Sequence, residues 1–436
     1  MYWPQNGTDM GVSALGPSAQ SEDRLRATPA LRFEALDSWR GLAAIMVVLF
    51  HAQIVSNIHL LGVVRAGESF VDLFFVLSGF VIAHAYLDRL STPRDIGRFF
   101  VLRLGRLYPL HIFMLGLFLL FEIAKGFVPG LVNTADPAFT GTNQPSYLVS
   151  NLLLLQAFWP QDSLSWNTPS WSISAEYLAY VLFAVAVFAQ RRRIVPWLCL
   201  AAIAAPLVLW QTSPQGMISA AGTGFLRAIY GFSVGALLYR LLSRFALLPG
   251  AASWRTTPGS RLGSPGWTAV EVLATALAVV SAWKSHATLL NYGLPFVFAM
   301  LVGVFAQERG AVSHILRRRP LVMIGMLSYS IYMIHMFIQL RLLNLARLLD
   351  IVTGTTFVQQ VGRGDRYGGG IDLGSLLAGD LLIVAMVAVT IAASYVTYRL
   401  IERPGQQAFG RLAGHMFGPA VHSVERGQRP LRLVLR

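Results

Sequence analysis

The chain is poor in charge. Asp, Glu, Lys and Arg make up 13% of its 436 residues, while 55% are hydrophobic. A soluble domain carries about 25% charged and roughly 45–50% apolar residues. The deficit, with a mean hydropathy of +0.55, excludes an ordinary soluble enzyme, a disordered protein and a nucleic-acid-binding domain. Cysteine is nearly absent, and the one copy, Cys199, lies in an apolar run. That excludes a disulfide framework, a CxxC zinc site and a haem-attachment motif, so no metal centre is expected. A cleavable signal peptide is not expected either, because the first apolar run begins only near Gly41. No internal repeat is visible, and no second domain.

What the chain does have is apolar runs of spanning length. A helix needs about 20 apolar residues to cross a bilayer. Ten such stretches lie near 40–57, 70–88, 106–124, 171–190, 194–211, 222–240, 266–283, 288–306, 321–340 and 377–398. Each is expected to be a helix, since lipid cannot satisfy exposed strand edges. The expected fold is an all-α integral membrane protein with about ten transmembrane helices over residues 36–405. Residues 1–35 read as a flexible cytosolic tail and 406–436 as a basic cytosolic one. Segment 147–159 is too short to span and reads as an interfacial or re-entrant helix within the 125–170 loop. Thr168 and Pro169 fit an N-cap and first helical residue. Segment 361–370 reads as a Gly-rich outer loop.

The charges that remain are unequal in sign, 35 basic against 21 acidic, giving a pI near 10.4. In so apolar a chain this marks orientation rather than DNA, because Lys and Arg stay on the cytoplasmic side. With both termini placed in the cytosol, 27 basic residues fall inside and 7 outside, leaving Arg227 within a span. That split fits the positive-inside rule and a plasma membrane, the bacterial inner membrane.

Several polar residues interrupt the spans. Arg40 and His51 are 11 positions apart. In a helix that is about three turns plus 20°, so both face one way, about 16 Å apart along the axis. Arg40 is then expected at the cytosolic mouth and His51 near the bilayer centre. His51 either hydrogen-bonds a neighbouring helix or serves as a base near neutral pH, and the aligned arginine favours the second. Glu176, expected in the outer third of its span, is costly there unless it pairs or faces a wet cavity. Asp72 opens the second span, where a carboxylate suits a helix N-terminus. Ser78 and Gly79 sit mid-span, either for tight packing or to let a ligand chain approach. Arg94, Arg98, Arg103 and Arg106 cluster on the inner side, as topology requires or as an anion site. Ser328, Tyr332 and His335 share a helix face. Arg227 either snorkels or contacts an acceptor. His111 reads as structural.

Seven stretches together resemble acyltransferase family 3, the membrane O-acyltransferases. They are LDSWRGLAAIMVVLFH, FVDLFFVLSGFVI, RLGRLYPL, PSWSISAEYLAYVLF, RAIYGFSVGALL, GMLSYSIYMIH and YRLIERP at 398–404. They occur in the family's order over roughly residues 33–405. The resemblance implies ten transmembrane helices and an acyl-CoA donor, commonly acetyl-CoA, with no tightly bound cofactor. It implies a hydroxyl acceptor on a cell-surface or lipid-linked carbohydrate or similar molecule. The chain resembles the members without a fused hydrolase-like domain. Its Arg-x10-His pattern falls on Arg40 and His51, its RxxR pattern on Arg103 and Arg106, and its SxE position on Glu176. On this basis His51 and Glu176 are the expected catalytic residues. Arg40, Arg103, Arg106, Ser78 and Gly79 are expected to hold the donor. Asp72, Arg227, Tyr332 and His335 are expected on the acceptor side. No covalent acyl-enzyme is expected, since neither Ser78 nor Cys199 has an obvious partnered base in the sequence. A secondary transporter or flippase is the alternative. The Arg–His alignment and the absence of paired broken helices in two matching halves favour the enzyme.

Overall fold

The computed structural model describes residues 32–127, 137–158, 164–213, 216–218, 220, 222–248, 264–285, 288–363 and 366–418. The tail expected over 1–35 therefore lies outside the described residues up to position 31. The tail expected over 406–436 lies outside them from position 419.

Each expected apolar stretch is occupied by a helix. They are α1 (Glu34–His51), α2 (Phe70–Tyr86), α3 (Pro93–Phe127), α4 (Trp171–Gln190), α5 (Ile194–Thr212), α6 (Gly224–Arg244), α7 (Pro265–Ser285), α8 (Leu294–Phe305), α9 (Arg319–Thr353) and α10 (Leu376–Thr397). A π-helical turn, Tyr398–Glu402, joins α10 to α11 (Arg403–Phe417). Among the described residues, seven segments are long and apolar enough to cross a membrane. One of them, Thr168–Thr212, contains both α4 and α5. The other differences from the expected ten are α1, which carries Glu34, Asp37 and Arg40 in 18 residues, and the shorter apolar helix Leu289–Phe305.

Local chemistry moved several boundaries. The third helix starts at Pro93, not near 106, because Thr92 and Asp95 cap it reciprocally. The Asp95 N–H donates to Thr92 Oγ1 at 3.2 Å, and the Thr92 N–H donates to Asp95 Oδ2 at 3.0 Å. The first helix starts at Glu34, with Glu34 and Asp37 in its first turn as the helix dipole favours. It stops at His51, where Ala52 turns extended. α9 runs past 340 to a left-handed Gly354, φ 72°. A 3-10 turn, Thr168–Ser170, precedes α4, so the helix proper opens at Trp171. A short helix, Ser146–Leu152, occupies the segment expected to be interfacial.

The Gly-rich segment expected as an outer loop is not a loop in its described part. Val358–Arg363 and Arg366–Ile371 form an antiparallel hairpin, β1 and β2. Its last residue is tied to the chain just beyond α1. The Ile371 N–H donates to the Gln53 carbonyl at 2.8 Å, and the Val55 N–H donates to the Ile371 carbonyl at 2.9 Å. Those partners satisfy a strand edge that lipid would not.

Backbones approach closely at the centre. A Cβ at Gly79 of α2 would strike the Phe232 carbonyl of α6, and one at Gly235 would strike the Val76 carbonyl. Both crossings require glycine. Large apolar side chains such as Leu200, Ile203, Leu273 and Leu277 cover the outside of α5 and α7. The described chain ends share one end of the bundle. There Phe33 packs on His84 at 5.3 Å between ring centroids, and Arg98 donates to the Gly418 carbonyl at 2.7 Å.

Candidate active site

Arginines expected at the inner face line a cavity well inside the bundle. Arg103 and Arg106 lie 10 and 13 residues after Pro93, about 15 and 20 Å along α3. With Arg40 from α1, Ser78 from α2, Glu176 and Tyr180 from α4, and Ser328, Tyr329 and Tyr332 from α9, they line a space of about 840 Å³. Arg98 is elsewhere, bound to the C-terminal end of α11.

Each charge in this inner cavity is held differently. Ser78 Oγ donates to Glu176 Oε1 at 2.6 Å and lies 3.0 Å from the Tyr180 hydroxyl. The Tyr180 hydroxyl also donates to Glu176 Oε1. Arg103 donates to the Tyr86 hydroxyl at 3.2 Å and stacks over that ring. Arg106 donates to Glu402 and lies over Tyr329, 5.5 Å from the ring centroid. Arg40 is 3.9 Å from Asp37. Two buried donors on the cavity, Arg103 Nε and Ser328 Oγ, have no hydrogen-bond partner among the described residues. Buried polar atoms are nearly always paired, so these two are exceptions beside the cavity.

His51 does not line this cavity. It opens onto a second recess of about 440 Å³, walled mainly by Ile54, Met336, Leu340, Leu343, Ile371 and Met386, with Gln53 and Gln339 as polar members. The His51 Nδ1 lies 2.9 Å from the Val47 carbonyl and 3.3 Å from His335 Nε2. His335 Nδ1 lies 2.6 Å from the Tyr332 carbonyl. A nitrogen facing a carbonyl must carry the hydrogen. With both rings neutral, each is therefore protonated on Nδ1. His335 Nε2 then accepts from His51, and the lone pair of His51 sits on Nε2.

Cavity and recess are stacked along one face of α1, as the 11-residue spacing of Arg40 and His51 implied. A thin layer separates them. Tyr332 packs on Phe74 at 5.7 Å and on His335 at 5.8 Å between centroids. Ser172 Oγ donates to the Tyr332 hydroxyl at 2.8 Å. His51 and Glu176, both expected to be catalytic, thus face different spaces. Glu176 shares its space with the arginines.

Four expected site residues line neither space: Asp72, Arg227, Gly79 and His335, the last fully buried behind His51 and Tyr332. Asp72 and Arg227 are paired with each other at 3.0 and 3.2 Å, buried to 0% and 2% exposure, with Arg227 over Trp171 at 5.3 Å. Gly79 packs against Phe232, the packing alternative. His111 bonds the Asn151 carbonyl at 2.8 Å, in line with a structural role. Residue-by-residue reading missed Tyr180 and Glu402. Tyr180 follows Glu176 by four positions and so shares its face. Glu402 lay within the YRLIERP stretch without a role. Among the described residues no group of His, Cys, Asp and Glu converges as a metal site.

Comparison with known proteins places the whole chain rather than single residues. The acyltransferase-domain model of acyltransferase family 3 matches residues 33–399. The acyltransferase MdmB of Streptomyces mycarofaciens is 26% identical over 409 residues, covering 87% of this chain and 93% of that protein. Protein 2 in the picA locus of Rhizobium radiobacter is 34% identical over 165 residues, covering 36% of this chain and 83% of that protein. No solved structure matches. Helices apolar enough for a membrane and a family match over most of the chain lead to one conclusion: the chain belongs to acyltransferase family 3 and is an acyl-transferring enzyme.

Proposed function

We propose that the protein is an integral-membrane O-acyltransferase. It moves an acyl group, acetyl in the first instance, from cytosolic acyl-CoA to a hydroxyl of a cell-surface or lipid-linked carbohydrate or similar acceptor. Both termini are cytosolic, and the membrane is the plasma membrane, the bacterial inner membrane. The convergence of Arg40, Arg103 and Arg106 on one cavity supports this reading. Guanidinium groups suit the phosphates of CoA, which they bind through paired, charge-assisted hydrogen bonds.

The pantetheine arm extends from those arginines past the side chains of Phe74 and Tyr332, which must part, so that the thioester reaches His51. The acceptor enters the recess beside His51. There His51 Nε2 takes the acceptor hydroxyl's proton as that oxygen bonds to the thioester carbonyl carbon. The carbon–sulfur bond breaks, and the imidazolium returns the proton to the departing CoA sulfur. The Val47 carbonyl and His335 together hold the required tautomer of His51. Glu176, bonded to Ser78 and Tyr180, lies on the donor's path rather than the acceptor's. Asp72 and Arg227 join α2 to α6 and touch no substrate.

The experiment is acetyl-CoA binding to the purified protein, with transfer to candidate glycans and other hydroxyl acceptors in liposomes. Arg103→Ala weakens acetyl-CoA binding about ten- to a hundredfold, the worth of a charge-assisted contact. Unchanged affinity in a folded Arg103→Ala variant contradicts the donor site.

A further inference from the structure

We propose that Glu402 is the positioning residue for Arg106, and so a determinant of donor binding supplied by the far end of the chain. The proposal rests on the acyl-CoA site described above. Glu402 and Arg106 are 296 positions apart in sequence. Glu402 is only 1% exposed, whereas the Arg106 side chain, at 24%, opens into the cavity. One oxygen of Glu402 accepts from Arg106, and the other accepts from Ser330 Oγ at 2.7 Å. Gln406 adds a further donor at 3.1 Å. The carboxylate is thus fixed from α9 and α11 before it meets the guanidinium. An arginine has five donors. Holding one edge of Arg106 on Glu402 and its face on Tyr329 leaves other donors to address a ligand.

The backbone around Glu402 is built for that contact. Glu402 ends a π-helical turn, and Pro404 follows in the first turn of α11. π-turns re-aim side chains and recur at functional sites. Next to the ion pair, α11 and α3 touch through glycine. A Cβ at Gly405 would lie 2.5 Å from Pro109, and one at Gly105 would strike the Phe409 side chain. These two contacts clamp the C-terminal helix on the helix that carries Arg103 and Arg106, and Glu402 immediately precedes them in the chain.

A plain structural tie between α3 and α11 predicts lower stability and nothing specific to the donor. Positioning predicts more. Four forms of the full-length protein in liposomes decide between them: wild type, Glu402→Gln, Arg106→Ala and the double variant. Acetyl-CoA KM, kcat and thermal midpoint are measured for each. Glu402→Gln is expected to raise the acetyl-CoA KM about five- to tenfold, with kcat within about twofold. In the Arg106→Ala background the same change is expected to move KM by less than about twofold, because the residue it positions is gone. Ser330→Ala, which frees one oxygen of Glu402, is expected to move KM the same way by a smaller factor, and Glu402→Asp to recover part of the loss. An equal KM effect of Glu402→Gln with and without Arg106 overturns the proposal. So does a fall in thermal midpoint with KM unchanged. Failure of the wild type to bind acetyl-CoA counts instead against the donor site itself.

Discussion

Ser78 of α2 donates a 2.6 Å hydrogen bond to Glu176 of α4, inside the cavity that Arg40, Arg103 and Arg106 also line. A serine paired with a carboxylate invites a covalent mechanism, and the sequence had offered Ser78 no such partner. A carboxylate is a weak base for a hydroxyl, however. Glu176 is also shared with the Tyr180 hydroxyl, and His51 faces the other space. In the proposed mechanism the pair is therefore a polar fixture on the donor path. Ser78→Ala is expected to lower acetyl transfer by about tenfold, well short of the 10²–10⁴-fold that general-base catalysis supplies. Acid-quenched enzyme is expected to carry no labelled acyl group. Acyl label on wild type that disappears in Ser78→Ala contradicts this.

Asp72 and Arg227 are expected to act on stability rather than on the acceptor. Removing one partner of a buried ion pair leaves an uncompensated charge and costs about 3–5 kcal/mol. Asp72→Ala or Arg227→Ala should each lower the thermal midpoint in detergent sharply. The double variant, which removes both charges, should recover part of that loss. A single variant with wild-type stability and an altered acceptor KM restores the substrate-contact role expected from sequence.

His335 is expected to act through His51. His335→Ala removes the acceptor at 3.3 Å that helps set the His51 tautomer. The expected result is a fall in kcat of about ten- to a hundredfold with the acetyl-CoA KM little changed, and a displaced pH–rate profile. His335→Gln, which keeps a hydrogen-bonding side chain, should recover part of kcat. A changed acceptor KM with the pH–rate profile unmoved would return His335 to substrate contact.

Apolar periodicity and length made the helices legible, and the fixed pitch of α1 put Arg40 and His51 on one face. The depth of Arg103 and Arg106 was legible too, in the Thr92-x-x-Asp95 cap that starts α3 early, but the apolar run alone hid it. Pairings across the chain were not legible. Asp72 and Arg227 are 155 positions apart and Arg106 and Glu402 far more, and no local pattern says which charges meet. The separation of His51 from Glu176 depends on where Phe74 and Tyr332 pack, again a tertiary fact. The hairpin at 358–371 escaped notice because its glycines lack the alternation that marks a strand. Its partner edge at 53–55 belongs to a distant segment.

The central claim is that His51 is the base for a transfer whose donor is bound by the arginines of α1 and α3. It is tested most directly by acetyl transfer in liposomes at saturating acetyl-CoA, comparing wild type with His51→Ala and measuring acetyl-CoA binding separately. The account predicts a 10²–10⁴-fold fall in turnover with acetyl-CoA affinity within about twofold of wild type. Near-normal turnover in His51→Ala would contradict it.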